Sequence, residues 1–311
     1  MFAMAHVIDG SAAAAELKEK LAEEAARWED MGVQPGLATL LVGDDYGSKA
    51  YERRLGRLAD EIGCHYVSEH LPSETPQAEV LATVGKLNAD PRVTGILVLR
   101  PLPPHVSEVE VFRLLDPLKD VEAVHPFNAG LLAEGRARFT PSTPSSCFYL
   151  LDRYVREKGG DPGSYYDGLN MVLVGRSNNV GKPALWMGLA RNATVISAHH
   201  YTARAGRLED FTRNADILIV AAGKPDLITG DMVSDGVIVV DVGINPKEGD
   251  DGKVHMVGDV HFDSVAEKAE AITPVPGGVG PVTDIYLLHN TVTAAAMAWE
   301  VRRAEQSIYD F

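Results

Sequence analysis

The stretch NMVLVGRSNNVGKP, from Asn170 to Pro183, decides how the rest of the chain is read. It opens as an apolar run, breaks at Gly175, and after Gly181 continues with residues that a helix accepts. That order predicts a strand, a tight loop and a helix start. In such a unit the N–H groups of the loop and the helix N-terminus can face an anion, and Gly175 and Gly181 let a phosphate approach closely. The spacing is G-x5-G rather than G-x-G-x-x-G, so taken alone the stretch fits a structural glycine turn as well as a nucleotide site.

Working outward, the pattern repeats downstream. Ala193 to Ala198, Ile217 to Ala221 and Val237 to Val242 read as three further strands. Each ends in a loop: 199–203, Ala222-Gly223-Lys224-Pro225 and Gly243-Ile244-Asn245. Strands spaced by roughly 20 to 25 residues, with helical segments between them, predict a Rossmann-like sheet and favour the nucleotide reading of the first loop. Upstream, Pro141 and Pro144 precede an amphipathic helix from Cys147 to Lys158, which puts the start of this domain near residue 140. Downstream, AITPVPGGVGPVTD (271–284) holds enough proline and glycine to require an irregular path, and Ile285 to Ser307 is a long helix candidate that can return to the first domain.

The first half alternates in the same way. Residues 11–31 predict a surface helix with Ser11 as its cap, Gly36 to Val42 a buried strand, and Ser48 to Gly63 a helix with Tyr51, Leu55, Leu58 and Ile62 along one stripe. His65 to His70 reads as a strand, 76–90 as a helix, Val93 to Leu99 as a strand buried on both faces, and 105–116 as a helix. The proline-rich Arg100 to Pro104 must leave the sheet at its carboxyl end, where α/β ligands bind. DPLKDVEAVHPFNAG (116–130) reads as a long polar connection. The fold class is therefore α/β, with two domains.

Composition excludes several functions. Against 29 Lys and Arg stand 44 Asp and Glu, a net charge of −15, with acidic pairs such as Glu108 and Glu110, and Asp250 and Asp251; a nucleic-acid partner is not expected. Cys64 and Cys147 have neither metal nor redox spacing, which predicts free thiols in a reducing, cytoplasmic compartment. Neither a leader nor a membrane span is read in the chain. His125, His199 and His200 lack partners at ligand spacing, so no metal is expected; Lys49 and Lys224 read as solvated, and Ser48 fits a helix N-cap.

With these pieces in place the chain resembles the methylenetetrahydrofolate dehydrogenase/cyclohydrolase family along nearly its whole length. The resemblance rests on PGLATLLVGDD (35–45), Ser48 and Tyr51 in S-x-x-Y, PLP (101–103), KDV (119–121), HP (125–126), GRSNNVGKP (175–183), DVGIN (241–245), VGDV (257–260) and PVPGGVGPVT (274–283), all in the family's order. It implies two α/β domains with a cleft between them: an N-terminal folate domain over residues 1–145, completed by the C-terminal helix 285–311, and a Rossmann-like NAD(P)-binding domain over 146–284. It also implies a homodimer through the second domain. Gly175, Arg176, Ser177, Val180, Gly181 and His200 become candidates for dinucleotide contact, with Gly223, Gly243 and Ile244 at the nicotinamide end. Tyr51, Leu55, Leu99, Glu122, Pro276, Gly277 and Gly278 become candidates for the tetrahydrofolate substrate. The second strand ends in Ala198-His199-His200-Tyr201, without the acidic residue that accepts from an NAD ribose, and Arg176 can meet a 2′-phosphate; NADP is expected over NAD.

The folate half departs from the family pattern. The family's lysine, four residues after the tyrosine and active in hydrolysis of the methenyl product, is Leu55 here, and its supporting glutamine is Leu99. Arg54, about a sixth of a turn off the Tyr51 stripe, is not expected to replace it. Arg100 stands for a leucine, Glu122 for the pterin-binding aspartate, Ala123 for the next glycine, and S-T-P-S-S (142–146) for C-T-P-[RK]-G. A paired loss of two polar partners predicts a dehydrogenase whose cyclohydrolase activity is lost or very weak. The rivals are an enzyme of the same fold acting on a modified folate or one-carbon substrate, and a non-catalytic folate or nucleotide sensor.

Overall fold

In the computed structural model, residues 5–249 and 252–309 are described, with side chains through Val301; the acidic pair Asp250 and Asp251 lies outside them. The elements run β1 (His6–Val7), α1 (Gly10–Asp30), β2 (Gly36–Val42), α2 (Tyr46–Ile62), β3 (His65–Leu71), α3 (Gln77–Ala89), β4 (Gly95–Val98), α4 (Glu108–Leu114), α5 (Pro126–Ala133), α6 (Ser142–Glu157), α7 (Pro162–Tyr165), β5 (Asn170–Val174), α8 (Gly181–Leu189), β6 (Thr194–Ala198), α9 (His200–Arg204), α10 (Leu208–Thr212), β7 (Ile217–Val220), β8 (Ile238–Asp241), β9 (Asn245–Glu248), β10 (Val254–Val257), α11 (Phe262–Ala266), β11 (Ala271–Ile272) and α12 (Val279–Tyr309). The α/β class expected from the alternation is what the chain adopts.

Two compact units result. One takes the residues through Ala15 together with Ser142–Thr283; the other takes Glu16–Pro141 and the residues from Asp284 on. The sequence assigns residues 1–145 to the first domain as one block, and here the fold differs. Strand β1 pairs with β11 in parallel, with the His6 N–H on Glu270 O (2.9 Å) and the Ile8 N–H on Ile272 O (2.9 Å), so the N-terminal residues extend the second sheet. Two-residue strands carry too little pattern to be read from sequence. The other boundaries shift for a simpler reason. Pro144 and Pro281 sit in the first turns of α6 and α12, where a missing N–H removes no helix bond, so these helices begin at Ser142 and Val279 rather than at Cys147 and Ile285.

The first unit to fold around a sheet in chain order has three parallel strands, ordered β3-β2-β4. Every residue of β2 is buried. One face, with Ala38, Leu40 and Val42, packs on Val80, Val84 and Leu87 of α3 and Val111 of α4. On the other face Thr39 donates to Glu52 Oε1 of α2 at 3.0 Å and meets the Tyr66 hydroxyl at 2.9 Å. Helix α12 closes the unit: Asn290 Nδ2 donates to Val121 O (2.7 Å) and Thr140 O (2.8 Å), and Thr94 Oγ1 donates to Thr291 O.

Local corrections concern caps and the 116–130 segment. Asp45, not Ser48, caps α2: its Oδ1 accepts from Ser48 N at 2.7 Å and from the Ser48 hydroxyl. That hydroxyl also bonds Arg100 O (3.0 Å), tying the helix start to the proline-rich segment. Asp9 rather than Ser11 accepts at the start of α1, from Ala12 N. The 116–130 connection is not one loop, because Pro126 starts α5 with His125 Nδ1 accepting from Phe127 N.

The other unit holds a six-stranded parallel sheet ordered β1-β11-β8-β7-β5-β6 and an antiparallel hairpin of β9 and β10. The four strands read from sequence form the run β8-β7-β5-β6, and their core includes Val172, Val174, Leu218, Val220 and Val239. The hairpin was not read from sequence, since NPKE and VHMV lack apolar alternation, although an Asp-Gly turn dipeptide lies between them. Among the described residues no helix is long and apolar enough to cross a membrane, and both cysteines are buried and free.

Candidate active site

Strand β5 delivers Gly175 to the carboxyl edge of the six-stranded sheet with φ +129°, and a Cβ there would lie 2.2 Å from Ala221 O, so no other residue fits without moving the backbone. Its N–H bonds Ala198 O. The chain then loops through Arg176 and Ser177, where Ser177 Oγ accepts from Val180 N at 3.1 Å, and α8 starts at Gly181. The backbone N–H groups of Arg176 and Ser177 have no acceptor among the described residues, which leaves donors for an anion.

These elements wall a cleft of about 340 Å³. Gly175, Arg176, Ser177, His199 and His200 line one side; Ala221, Ala222 and Lys224 line another. The lining contains cationic and neutral side chains and no carboxylate. The Arg176 guanidinium lies 5.6 Å from the ring centroid of the exposed Tyr201. Of the dinucleotide candidates, Val180 and Gly181 do not line the cleft; Gly181 packs beneath the loop, its absent Cβ only 2.2 Å from Gly175 O. Gly223 sits between two lining residues in the left-handed region, φ +64°. Gly243 packs against the Asp259 carboxylate, and Ile244 is exposed. Lys224, read as solvated, is exposed yet lines the cleft.

Two acidic residues beneath this edge stand in the DVGIN and VGDV motifs, where sequence reading assigned them no role. Asp259 is fully buried and accepts from Ala222 N (2.6 Å), Gly223 N (2.9 Å), Lys224 N (2.8 Å) and Asn245 Nδ2 (2.8 Å). Asp241 accepts from the N–H groups of Gly243, Asp259 and Val260. Burial pushes the Asp241 carboxyl up to about 7 against those three donors, with the Asp259 charge adding to the rise. The signal for both was an aspartate at the end of a strand or in a turn, common to many caps and therefore unspecific. In the same unit Pro276, Gly277 and Gly278 follow a cis Val275–Pro276 bond. They pack on the start of α1, with Ser11 N on Gly277 O (3.1 Å) and Gly278 pressed against Gly10.

The three-stranded unit holds the other candidates. Tyr51 is half-buried on α2, its phenol pushed well up by burial and, secondarily, by the carboxylates of Asp284 and Glu122. Arg54 lies with its guanidinium 5.1 Å from the Tyr51 ring centroid. It holds Asp284 through two bonds, Nε to Oδ2 at 2.6 Å and the second nitrogen to Oδ1 at 3.2 Å. Its Cβ is off the Tyr51 stripe, as the helical angle requires, but residues three apart are helix neighbours and the long side chain folds back over the ring. Burial raises the Asp284 carboxyl while Arg54 opposes the rise.

Leu55 is fully buried, on the same face as Ser48, Ala59 and Ile62, and Leu99 is buried as well. Arg100 places its guanidinium 5.3 Å from the Phe112 ring centroid. Glu122 sits in a turn pinned from below by Asp120, which accepts from Val124 N (3.0 Å), His125 N (2.8 Å) and Asn128 Nδ2 (2.8 Å). Ala123 takes φ +50° in that turn. Among the described residues no group of three His, Cys, Asp or Glu side chains could hold a metal.

The comparisons with known proteins agree with this geometry. The model of the tetrahydrofolate dehydrogenase/cyclohydrolase NAD(P)-binding domain matches residues 141–299, and that of the catalytic domain of the same family matches residues 8–122. "Bifunctional protein FolD 3" of Rubrobacter xylanophilus is 61% identical over 292 residues, covering 93% of this chain and 92% of its own. The crystal structure of a bifunctional FolD methylenetetrahydrofolate dehydrogenase/cyclohydrolase from Campylobacter jejuni is 40% identical with a TM-score of 0.86, covering 94% of this chain and 99% of its own. A Trypanosoma brucei FolD, solved with NADP cofactor and an inhibitor, is 34% identical with a TM-score of 0.86, covering 96% of this chain and 99% of its own. A cationic, glycine-floored cleft at the edge of a parallel sheet, a companion three-stranded unit and likeness over nearly the full length together establish that this chain belongs to the tetrahydrofolate dehydrogenase/cyclohydrolase family.

Proposed function

We propose that the protein is a 5,10-methylenetetrahydrofolate dehydrogenase that prefers NADP to NAD and whose methenyl cyclohydrolase activity is lost or very weak. The dinucleotide cleft fits the cofactor: free donors at Arg176 and Ser177 suit phosphate, and Arg176, His200 and Lys224, without a carboxylate among the lining residues, suit a further 2′-phosphate. Bound nicotinamide supplies the hydride acceptor. The reaction takes a hydride from the methylene carbon of the folate, the lone pairs of its two flanking nitrogens expelling it and leaving a methenyl cation. That step needs no proton transfer, so the residues act by placement. Tyr51 offers a ring face to the pterin, Glu122 an acceptor for its amine, and Pro276 to Gly278 a fixed wall near the nicotinamide.

Hydrolysis of the methenyl product asks for more, because water must be activated and protons moved. The single observation that carries this part of the proposal is that Leu55, one turn beyond Tyr51, is wholly enclosed, while the cation beside Tyr51 is a guanidinium already engaged by Asp284. A guanidinium does not give up its proton at neutral pH. The test is to follow methylenetetrahydrofolate with NADP⁺, with NAD⁺ and with neither. The methenyl product should accumulate with NADP⁺ and then decay at the buffer rate; decay clearly faster than buffer sinks the loss of hydrolysis, and faster turnover with NAD⁺ sinks the cofactor preference. We further propose a homodimer through the unit that carries the six-stranded sheet, to be checked by sedimentation.

A further inference from the structure

The cleft has two glycine loops, and both could offer backbone N–H groups to a phosphate. They differ in whether those groups are already used. At the Gly175 loop the N–H groups of Arg176 and Ser177 have no acceptor among the described residues. At the Ala222–Lys224 loop three successive N–H groups all point to one internal carboxylate, that of Asp259. Successive N–H groups converging on one point form an anion-binding concavity. We propose that Asp259 is a positioning residue for the dinucleotide, a built-in anion that fills this concavity, holds the loop in shape and reserves its end of the cleft for the nicotinamide, the part of the ligand that carries no phosphate.

Three observations support this. Every partner of Asp259 is a donor, three backbone N–H groups and the Asn245 amide, which is the pattern that an ionised carboxylate takes. The group is fully buried and Gly243 packs directly on it, an added Cβ falling 2.2 Å from its Cγ, so the carboxylate cannot swing out to yield its place. The loop it holds supplies Ala222 and Lys224 to the cleft wall. A phosphate brought to this loop would find its donors taken and a negative charge behind them in a medium of low dielectric. The pyrophosphate therefore goes to the Gly175 loop, and the nicotinamide end lies against Ala222–Lys224. The inference rests on the cleft being a dinucleotide site.

The experiment is calorimetric titration of the full-length protein and of Asp259→Asn with NADP⁺ and, separately, with 2′,5′-ADP, the half of the ligand that carries no nicotinamide. An asparagine keeps one acceptor oxygen and turns its amide donor either towards the Ala222 and Gly223 N–H groups or towards the Lys224 N–H and the Asn245 amide, and should loosen the loop. NADP⁺ affinity should fall about tenfold or more while 2′,5′-ADP stays within about twofold of the parent. Equal weakening of both ligands, or no change in either, overturns the proposal. If Asp259→Asn does not fold, Asn245→Ala, which removes one anchor of the carboxylate, should show the same selective loss at smaller size, and absence of that selectivity overturns it as well. Failure of the parent protein to bind either ligand would instead reject the dinucleotide reading, and the proposal with it.

Discussion

Both units pin a ligand-bearing turn from below with a buried aspartate, Asp259 under Ala222–Lys224 in one and Asp120 under the Glu122 turn in the other, yet what the two turns present differs. In the unit of Asp259 the cleft keeps free backbone donors at the Gly175 loop, and cations, as a dinucleotide needs. Beside the Glu122 turn the cation is engaged, Arg54 being held by Asp284, and Leu55 and Leu99 are buried. A scaffold can thus keep a loop support of the same kind in both halves while the side chains beside the two turns differ. Hydride transfer needs geometry, which the supports supply; hydrolysis needs a proton carrier, which they do not.

The largest expected effect breaks the intact side. Gly175→Ala places a Cβ 2.2 Å from Ala221 O at φ +129°, and should weaken NADP⁺ binding by on the order of a hundredfold, ~2.7 kcal/mol, measured by titration. Next, the proposed loss of hydrolysis can be challenged on the other side. Leu55→Lys with Leu99→Gln should raise methenyl hydrolysis about a hundredfold above the parent, the lower end of what a placed acid–base group contributes. Leu55→Lys alone should show no such gain and should lose roughly 3 kcal/mol in denaturant unfolding, because its ammonium would be buried without a partner. A double variant that hydrolyses no faster than the parent would mean that more than this pair separates the chain from hydrolysis.

A third prediction concerns pH. The Asp241 carboxyl titrates at about 7 in the folded protein against an ordinary 3.8, so the folded state holds this proton where the unfolded state has released it. Its contribution to stability is therefore fully present below about 4, declines as pH rises, and is gone above about 7. Asp241→Asn should flatten the stability profile across that window relative to the parent, and an unchanged slope would reject the assignment. The smallest effect lies in the Glu122 turn. Ala123 adopts φ +50°, so Ala123→Gly should relieve local strain and raise stability by about 1 kcal/mol, read from the denaturation midpoint.

Much of this architecture was legible because long, continuous apolar runs and glycine turns are local signals. Gly36–Val42 and Asn170–Val174 have the bounds read from sequence, and α2 follows the Tyr51, Leu55, Leu58, Ile62 stripe. Short or two-sided elements were not legible. The His6–Val7 strand exists only because Ala271–Ile272 offers it an edge, and the β9–β10 hairpin lacks pattern on both strands. Arg54 shows the same limit within the candidate site: helical angles place its Cβ off the Tyr51 stripe, but the reach of its side chain and a carboxylate 230 positions away decide where the charge lies.

By itself, then, the sequence determined the alternation of strands and helices, the family, the glycine loop that floors the dinucleotide cleft, and the two leucines, Leu55 and Leu99, on which the proposed loss of hydrolysis rests. These depend on residue identity and near-neighbour spacing. Only the tertiary structure decided which unit owns the N-terminal strand, that Asp259 occupies the donors of one loop while those of the other stay free, and that Asp284 captures the arginine over Tyr51. Each of those depends on donors and acceptors far apart in sequence being brought within hydrogen-bond distance, where burial makes a missing partner costly and a present one decisive.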